Sequence, residues 1–393
     1  MSAIPRTVLA LGAVSLCMDL SSELIHSLLP LYLTGVLGAG MVAVGVVEGV
    51  AEATASIVKV FSGALSDRFA RRKPIVVAGY ALAALTKPLF PLAASVPLVL
   101  FARFADRIGK GIRGAPRDAL IADVTPPEAR GAAYGLRQAM DTAGAVLGPL
   151  SAAGLMLAFA DDIRRVLWVA VLPAAAAVAV LALAVREPAR ASAPSAPSAP
   201  RAARFAGLGE LGARTWAVVA LGGVLTLARF SEAFLVLRAQ DLGVALAAIP
   251  LVIVAMNVVY AAVSYPAGLA ADRGHRTALL AGGLAALIAS DLILGSARSV
   301  AALGAGIALW GAHMGLTQGL LSTLVADAAP DRLRGTAFGA FNLVSGVALL
   351  AASVLAGWLW SALGPGATFY AGAAICGLAL AGLLAASRGA RRA

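Results

Sequence analysis

Long apolar runs alternate with short polar interruptions along the whole chain. A run of roughly 20 mostly apolar residues is long enough to cross a hydrocarbon layer as a helix. On that criterion twelve spans are predicted, at 7–29, 41–65, 74–95, 97–122, 131–159, 165–185, 215–240, 247–271, 277–297, 300–326, 335–362 and 366–386. The runs are continuous and rich in Ala, Leu and Gly, without period-two alternation, so helices are expected and a β-barrel is not. The pattern predicts an all-α integral membrane protein.

One interruption is longer than the rest. Residues 186–214 include Ala191-Ser-Ala-Pro-Ser-Ala-Pro-Ser-Ala-Pro200, a composition expected of an extended, mobile tether. It divides the chain into a six-helix bundle over 1–185, a cytoplasmic linker over 186–214 and a second six-helix bundle over 215–393. The halves also repeat each other. Gly63, Asp67, Arg68 and Arg71 recur as Gly268, Asp272, Arg273 and Arg276, and Asp123, Pro126, Arg130, Gly131 and Gly135 recur as Asp327, Pro330, Arg334, Gly335 and Gly339. Two polar loop signatures returning at nearly one offset imply an internal duplication of the parallel kind.

Composition narrows the function. Hydrophobic residues make up 60% and charged ones 13%, against about 25% charged in soluble domains. An ordinary soluble enzyme and a disordered chain are both excluded. The net charge of +11 could suggest nucleic acid. Its placement argues otherwise: Arg71, Arg72, Lys73, Arg276, Arg332 and Arg388 sit in alternate loops or at the C-terminal tail, whereas the opposite loops carry Arg164, Arg165 and Arg298. By the positive-inside rule the termini and linker are expected in the cytoplasm, with the chain in the inner membrane and no nucleic-acid partner. The first run contains Asp19, Glu23 and His26 and reads as a retained span, not a signal peptide. Cys17 and Cys376 lie in apolar stretches without metal-ligand spacing and are expected to be packing residues.

Several motifs carry a resemblance. Gly63-Ala-Leu-Ser-Asp67-Arg68-Phe-Ala-Arg71-Arg72-Lys73, between spans two and three, resembles the signature of the major facilitator superfamily, and Gly268-Leu-Ala-Ala-Asp272-Arg273-Gly-His-Arg276 is a weaker copy. Arg107-Ile-Gly-Lys110-Gly111 resembles that family's fourth-span motif, with Lys110 where Gln is common. Gly144-Ala-Val-Leu-Gly148-Pro149 is similar to the fifth-span antiporter motif, although Ala152-Ala153 replace its later glycine pair. The resemblance covers essentially the whole chain and is drug:proton antiporter-like; its motifs specify the superfamily and not the subfamily. It implies a secondary transporter of two pseudo-symmetric six-helix bundles that alternate access to a central cavity. It further implies a gating and conformational set: Gly63, Asp67, Arg68, Arg71, Arg117, Asp118, Asp123, Arg130, Gly148, Pro149, Asp272, Arg273, Asp327 and Arg334. Asp67 would latch the bundles through a helix N-terminus and ion pairs; a purely topological charge cluster is the alternative.

Ionisable groups inside spans cost at least roughly 2.5–3.5 kcal/mol each at mid-membrane and seldom persist without a partner or a wet cavity. Asp19, Glu23 and His26 lie at i, i+4 and i+7 on one face of span one, and Glu48, Glu52 and Lys59 share a face of span two. Arg103, Asp106, Arg107, Lys110, Arg113 and Arg117 form a stripe along span four. Lys87 precedes Pro88 in span three, Arg137 and Asp141 lie in span five, and Arg229, Glu232, Arg238 and Asp291 lie in the second half. At a rise of about 1.5 Å per residue, Asp19, Glu52 and Lys110 sit about 16–20 Å into their spans, near mid-depth. A mid-depth acid/base cluster facing a hydrated cavity is expected in the first bundle.

Two roles stay open for each member. Asp19, Glu23 and Glu52, with Glu48 and His26, are proton-coupling candidates; permanent buried salt bridges are the alternative. Lys110, Arg113, Arg107, Arg103, Lys87, Lys59, Asp106, Asp141 and Arg238 are candidates for contact with substrate, and the bases among them suit anionic groups. Mutual neutralisation is again the alternative. A proton or hydrogen-bond role is favoured for His26 over metal ligation, and no metal site is assigned. Gly311, Gly315 and Gly319 predict a smooth ridge in span ten. Neither a nucleophile elbow nor a phosphate loop is present, so no enzyme is expected and the proton gradient, not a cofactor, is the energy source. The partners expected are a small-molecule substrate and the lipid bilayer, with the chain a monomer. Proton-coupled efflux is the leading reading; an organic-anion carrier, a divalent-metal exporter and a membrane sensor or scaffold are the alternatives.

Overall fold

The structure is a computed structural model that describes residues 4–66, 71–187, 207–330 and 333–390. Among the described residues there is no strand. The helices are α1 (Arg6–Leu31), α2 (Met41–Ser66), α3 (Lys73–Thr86), α4 (Leu89–Leu92), α5 (Val96–Val124), α6 (Arg130–Ala158), α7 (Ile163–Val169) and α8 (Val171–Ala184), then α9 (Ala213–Ala228), α10 (Ala233–Asp241), α11 (Leu251–Asp272), α12 (Arg276–Ser296), α13 (Val300–Ala328), α14 (Arg334–Leu363) and α15 (Pro365–Ala390). All twelve predicted spans are found within a few residues of their expected limits.

Among the described residues, 11 stretches are long and apolar enough to cross a membrane. The remaining span, α5, has the length at 29 residues but carries the charged stripe. Three spans are broken. The third divides into α3 and α4 at Lys87-Pro88, because Pro88 has no N–H to continue the ladder and the Lys87 N–H turns back to the Ala84 carbonyl at 3.1 Å. The sixth divides into α7 and α8 at Ala170, where Pro173 would leave the Val169 carbonyl without its usual donor. The seventh divides into α9 and α10 without a proline. Arg229 is extended there (φ −111°, ψ 97°), and the Ser231 hydroxyl accepts the Ala233 N–H at 3.2 Å.

Cα packing groups the chain into two compact units, Met1–Tyr32 with Val50–Pro200, and Leu33–Gly49 with Arg201–Ala393. The second boundary falls within the polar interruption; residues 188–206 of that interruption lie outside the described residues. Leu33–Gly49, which the sequence places in the first bundle, groups with the second unit, for a reason visible in its glycines. A Cβ on Gly49 would lie 2.8 Å from Leu350 Cδ1, one on Gly45 would strike the Ser353 carbonyl oxygen, and one on Gly357 would strike that of Met41. Small residues let the start of α2 and the middle of α14 approach backbone to backbone. Within the first unit, Val8, Leu11, Val14, Val76, Tyr80, Ala83 and Leu181 form a buried core. In the second, Val219, Val325 and Ala337 belong to another.

Candidate functional site

The charged residues of α5 are drawn inside the first unit by glycines. A Cβ on Gly109 would stand 2.6 Å from the Gly79 carbonyl, and one on Gly79 would stand 2.8 Å from that of Gly109, so α3 and α5 touch along their backbones. A Cβ on Gly111 would meet Val58 at 2.6 Å, which brings α2 equally close. On the other side α6 carries α1. A Cβ on Gly144 would be 2.9 Å from Asp19 Cβ, and one on Gly148 2.9 Å from Glu23 Cβ. The fifth-span glycines are therefore spacers for the α1 carboxylates, and Gly319 differs from Gly311 and Gly315 in meeting nothing within 4 Å.

The resulting pairs fall into tiers along α5. In the first, Lys87 Nζ donates to Asp106 Oδ1 at 2.8 Å and to the Ser22 hydroxyl at 2.9 Å. Arg107 lies 3.5 Å from Glu52 and 4.0 Å from Asp106. His26 Nδ1 is 3.2 Å from Glu23 Oε2. In the second tier, Arg113 is 4.0 Å from Asp19 and stacks over the Tyr80 ring at 4.4 Å. Below it, Arg117 donates to the Ser15 hydroxyl at 2.8 Å and pairs with Asp118 at 3.2 Å and Asp141 at 3.9 Å. Arg137 closes this group on Asp141 at 2.6 Å and Asp118 at 3.7 Å.

Exposure sorts the cluster. Lys87, Arg103, Asp106, Arg107 and Arg113 are all buried. Asp19, Glu23 and Glu52 keep 21%, 19% and 35% of their side chains exposed. Lys110 is exposed, interacts electrostatically with all three, and forms no ion pair with a described residue. In the first two tiers the exposed part thus presents Asp19, Glu23 and Glu52 to Lys110, while in the last Asp118 and Asp141 share their exposure with Arg117 and Arg137.

At the C-terminal ends of α5 and α13 the two units each carry the same device. Arg72 pairs with Asp123 at 3.1 Å, and Arg276 pairs closely with Asp327. The structure thus matches Arg276 with Arg72, where the sequence repeat had matched it with Arg71, because the loop signature is one residue out of step with the helices around it. Glu187 caps the start of α3 by accepting the backbone N–H of Arg72 at 2.6 Å and of Lys73 at 3.0 Å.

Several expected members stand elsewhere. Glu48 is fully buried one turn before Glu52 on α2, in the stretch that groups with the second unit. Lys59 is exposed and forms no ion pair with a described residue. Asp67 and Arg68 lie outside the described residues; Gly63 is in the last turns of α2, and Asp272 ends α11. Arg71, Arg130, Arg273 and Arg334 are exposed. Pro149 is an interior residue of α6. Trp310 is buried in an aromatic cluster, 5.2 Å from Phe230. Among the described residues no group of three His, Cys, Asp or Glu is placed to hold a metal.

Arg238 commits all three of its side-chain nitrogens to partners within the protein. It pairs closely with Asp241, and donates to the Leu294 carbonyl at 3.0 Å and the Ala297 carbonyl at 2.7 Å, tying α10 to the end of α12. Arg238→Ala is expected to lower the unfolding free energy by about 2–3 kcal/mol, the worth of charge-assisted bonds left unmade. Arg238→Lys should recover little, since a point charge cannot span two carbonyls and a carboxylate. Thermal unfolding in detergent checks both; unchanged melting with impaired transport would return Arg238 to the substrate path.

Tyr80, Ser15 and Ser22 were not expected. Tyr80 lies seven residues before Lys87 and hence on the same helical face. It stacks under Arg113, and its hydroxyl accepts from Arg117 Nη1 at 3.3 Å. An aromatic on the charged face of span three was the available signal. The two serines had none, because Ser is common in apolar helices.

Charged groups paired inside a polytopic helical bundle, on an internally repeated frame, define a membrane carrier. The family model of the Major Facilitator Superfamily matches residues 11–237 and 219–392, and this chain belongs to that superfamily. An uncharacterized MFS-type transporter of Methanocaldococcus jannaschii is 31% identical over 382 residues, covering 94% of this chain and 92% of that one. Multidrug resistance protein MdtH of Proteus mirabilis is 34% identical over 133 residues, covering 34% of this chain and 32% of that protein. Among solved structures, a variant of the nucleoside transporter NupG aligns with a TM-score of 0.80 at 12% identity, over 96% of this chain and 99% of that one. The protein is a multi-pass membrane transporter.

Proposed function

We propose that this transporter exports a small organic cation in exchange for protons, with Asp19, Glu23 and Glu52 as the exchanging carboxylates. The observation that carries this reading is the sorting by exposure: Arg103, Arg107 and Arg113 of α5 are buried, while Asp19, Glu23 and Glu52 stay partly exposed and face the exposed Lys110. An ammonium on the substrate and a proton compete for the same oxygens, and such competition is exchange. Asp19 is the most weakly held of the three, at 4.0 Å from Arg113 against 3.5 Å for Glu52 with Arg107 and 3.2 Å for Glu23 with His26. It is therefore assigned the decisive proton. Each charge moved draws about 2.3 kcal/mol per 100 mV from the membrane potential. The partial likeness to MdtH supports the outward direction, with both termini in the cytoplasm.

An anion carrier is the second reading, favoured by Lys110 alone. Protonation of Asp19 would free Lys110 for an anion, so anion and proton would bind together. The readings predict opposite signs. Cation binding strengthens as pH rises, because deprotonated acids accept it; anion binding strengthens as pH falls. Purified protein in proteoliposomes, tested with ethidium and with p-nitrobenzoate under an imposed pH gradient, separates them. Asp19→Asn is expected to abolish gradient-driven ethidium movement and flatten the pH dependence of ethidium binding. Ethidium transport that ignores pH in the unsubstituted protein, or survives unchanged in Asp19→Asn, would overturn the proposal.

A further inference from the structure

One ionisable side chain of the second unit has no place in this account. Asp291 lies on α12, about 22 Å along the helix from Arg276 by the helical rise. Its side chain is completely buried, and among the described residues neither carboxyl oxygen has a hydrogen-bond partner. An ionised carboxylate left without partners in an apolar interior costs far more than a fold can carry, so Asp291 is in its acid form here.

The surroundings are specific. A Cβ on Gly372 of α15 would sit 2.6 Å from Asp291 Oδ2, 3.2 Å from the Ala228 carbonyl oxygen and 3.2 Å from Phe230 Cε1. Gly372 is thus the recess that the carboxyl fills. Ala228 ends α9, and Phe230 stands in the break of span seven, so the acid is covered by the one broken span of this unit. Backbone carbonyls at the end of an interrupted transmembrane helix are groups that bind small cations and protons in membrane carriers. Phe230 packs on Trp310, Phe234 and Phe369 with centroids 5.2–5.6 Å apart, which seals the recess from water.

Among the described residues no cation of the neighbouring elements pairs with Asp291. Titratable groups on those elements are Cys376, Tyr370 and Arg388 on α15, His313 and Asp327 on α13, Tyr260, Tyr265 and Asp272 on α11, Arg214 on α9, Arg229 and Glu232 at the break, and Arg238 and Asp241 on α10. Among the described residues Cys376 has an electrostatic interaction with Asp291, and its thiol donates to the Leu284 carbonyl at 3.4 Å. His313 is engaged with the Gly283 carbonyl at 2.8 Å, and Arg238 with Asp241 and the end of α12.

We infer that Asp291 is a proton-binding site of the second unit, holding its proton while α15 and the span-seven break cover it and releasing it to water when they part. The site is independent of the proton-exchange proposal, whose carboxylates all lie in the other unit, and the two fail separately. Infrared spectroscopy of the full-length protein in lipid vesicles at neutral pH is the test. One protonated-carboxyl stretch per chain is expected, lost in Asp291→Asn, retained in Asp19→Asn, Glu23→Gln and Glu52→Gln, and slow to shift in deuterated water. If the asparagine variant does not fold, Asp291→Glu keeps the acid and must displace the band. Gly372→Ala, whose added methyl presses on Oδ2 and the Ala228 carbonyl, must shift the band and hasten its deuterium exchange. Absence of the band, indifference to both Asp291 substitutions, or unaltered exchange in Gly372→Ala would overturn the inference.

Discussion

Lys87→Met is expected to destabilise the first unit by about 3–5 kcal/mol, the cost of leaving a buried carboxylate without its partner. Lys87 and Asp106 are both buried and meet at 2.8 Å, and the same ammonium donates to Ser22. One side chain therefore joins α1, α3 and α5 at the point where span three breaks. Asp106 would keep Arg107 at 4.0 Å and an electrostatic interaction with Arg103. The double substitution Lys87→Met/Asp106→Leu removes both charges and should recover most of the loss, since a buried ion pair adds little over well-packed apolar groups. Unfolding in detergent gives the two free energies. A double variant no more stable than Lys87→Met would mean that Asp106 serves Arg107 rather than Lys87.

The second large effect is expected from Gly148→Val. Its side chain would enter the contact between α6 and α1, where even a methyl meets the Leu20 carbonyl oxygen at 2.8 Å and Leu24 N at 2.9 Å. These are backbone atoms and cannot rotate aside. Overpacking of this kind costs about 1–3 kcal/mol, and here relief requires moving α1 with Glu23 on it. Proton-coupled transport should therefore fall much further than folded protein does. Gly144→Val is expected to act likewise through Asp19. Gly319→Val on α13 is the control, because a methyl there meets nothing within 4 Å, and it should leave both stability and coupling unchanged. Transport by Gly148→Val at the unsubstituted rate, with the protein folded, would show that the position of the α1 carboxylates is immaterial.

Much of the cluster was legible because insertion in lipid makes every charge conspicuous. Asp19, Glu23, Glu52 and the α5 stripe needed only spacing and depth to be placed on inward faces. Their pairing was not legible. The surplus of bases on span four suggests an anion site, yet Arg103, Arg107, Arg113 and Lys87 are buried, and what stays accessible is Lys110 among Asp19, Glu23 and Glu52. Spacing places a residue on a face, but cannot say how far a neighbouring helix covers that face. The same gap hid Tyr80 and assigned Arg238 to a substrate when its donors serve a helix end.

The repeat showed a similar limit. Asp123 and Asp327 were matched correctly from the loop signature, whereas the arginine facing each was displaced by one residue, because ladders and packing set the register of α3 and α12 and loops do not.

By itself the sequence determined twelve membrane crossings, their duplication and their charged faces, because hydrophobic length and loop charge are local properties priced by the bilayer one segment at a time. Only the tertiary structure decided which charges cancel, which remain open to water, and that the start of α2 belongs with the second unit. Those outcomes depend on how closely helices far apart in the chain approach, and that distance is set by glycines such as Gly45, Gly109 and Gly148 meeting the backbone of another helix.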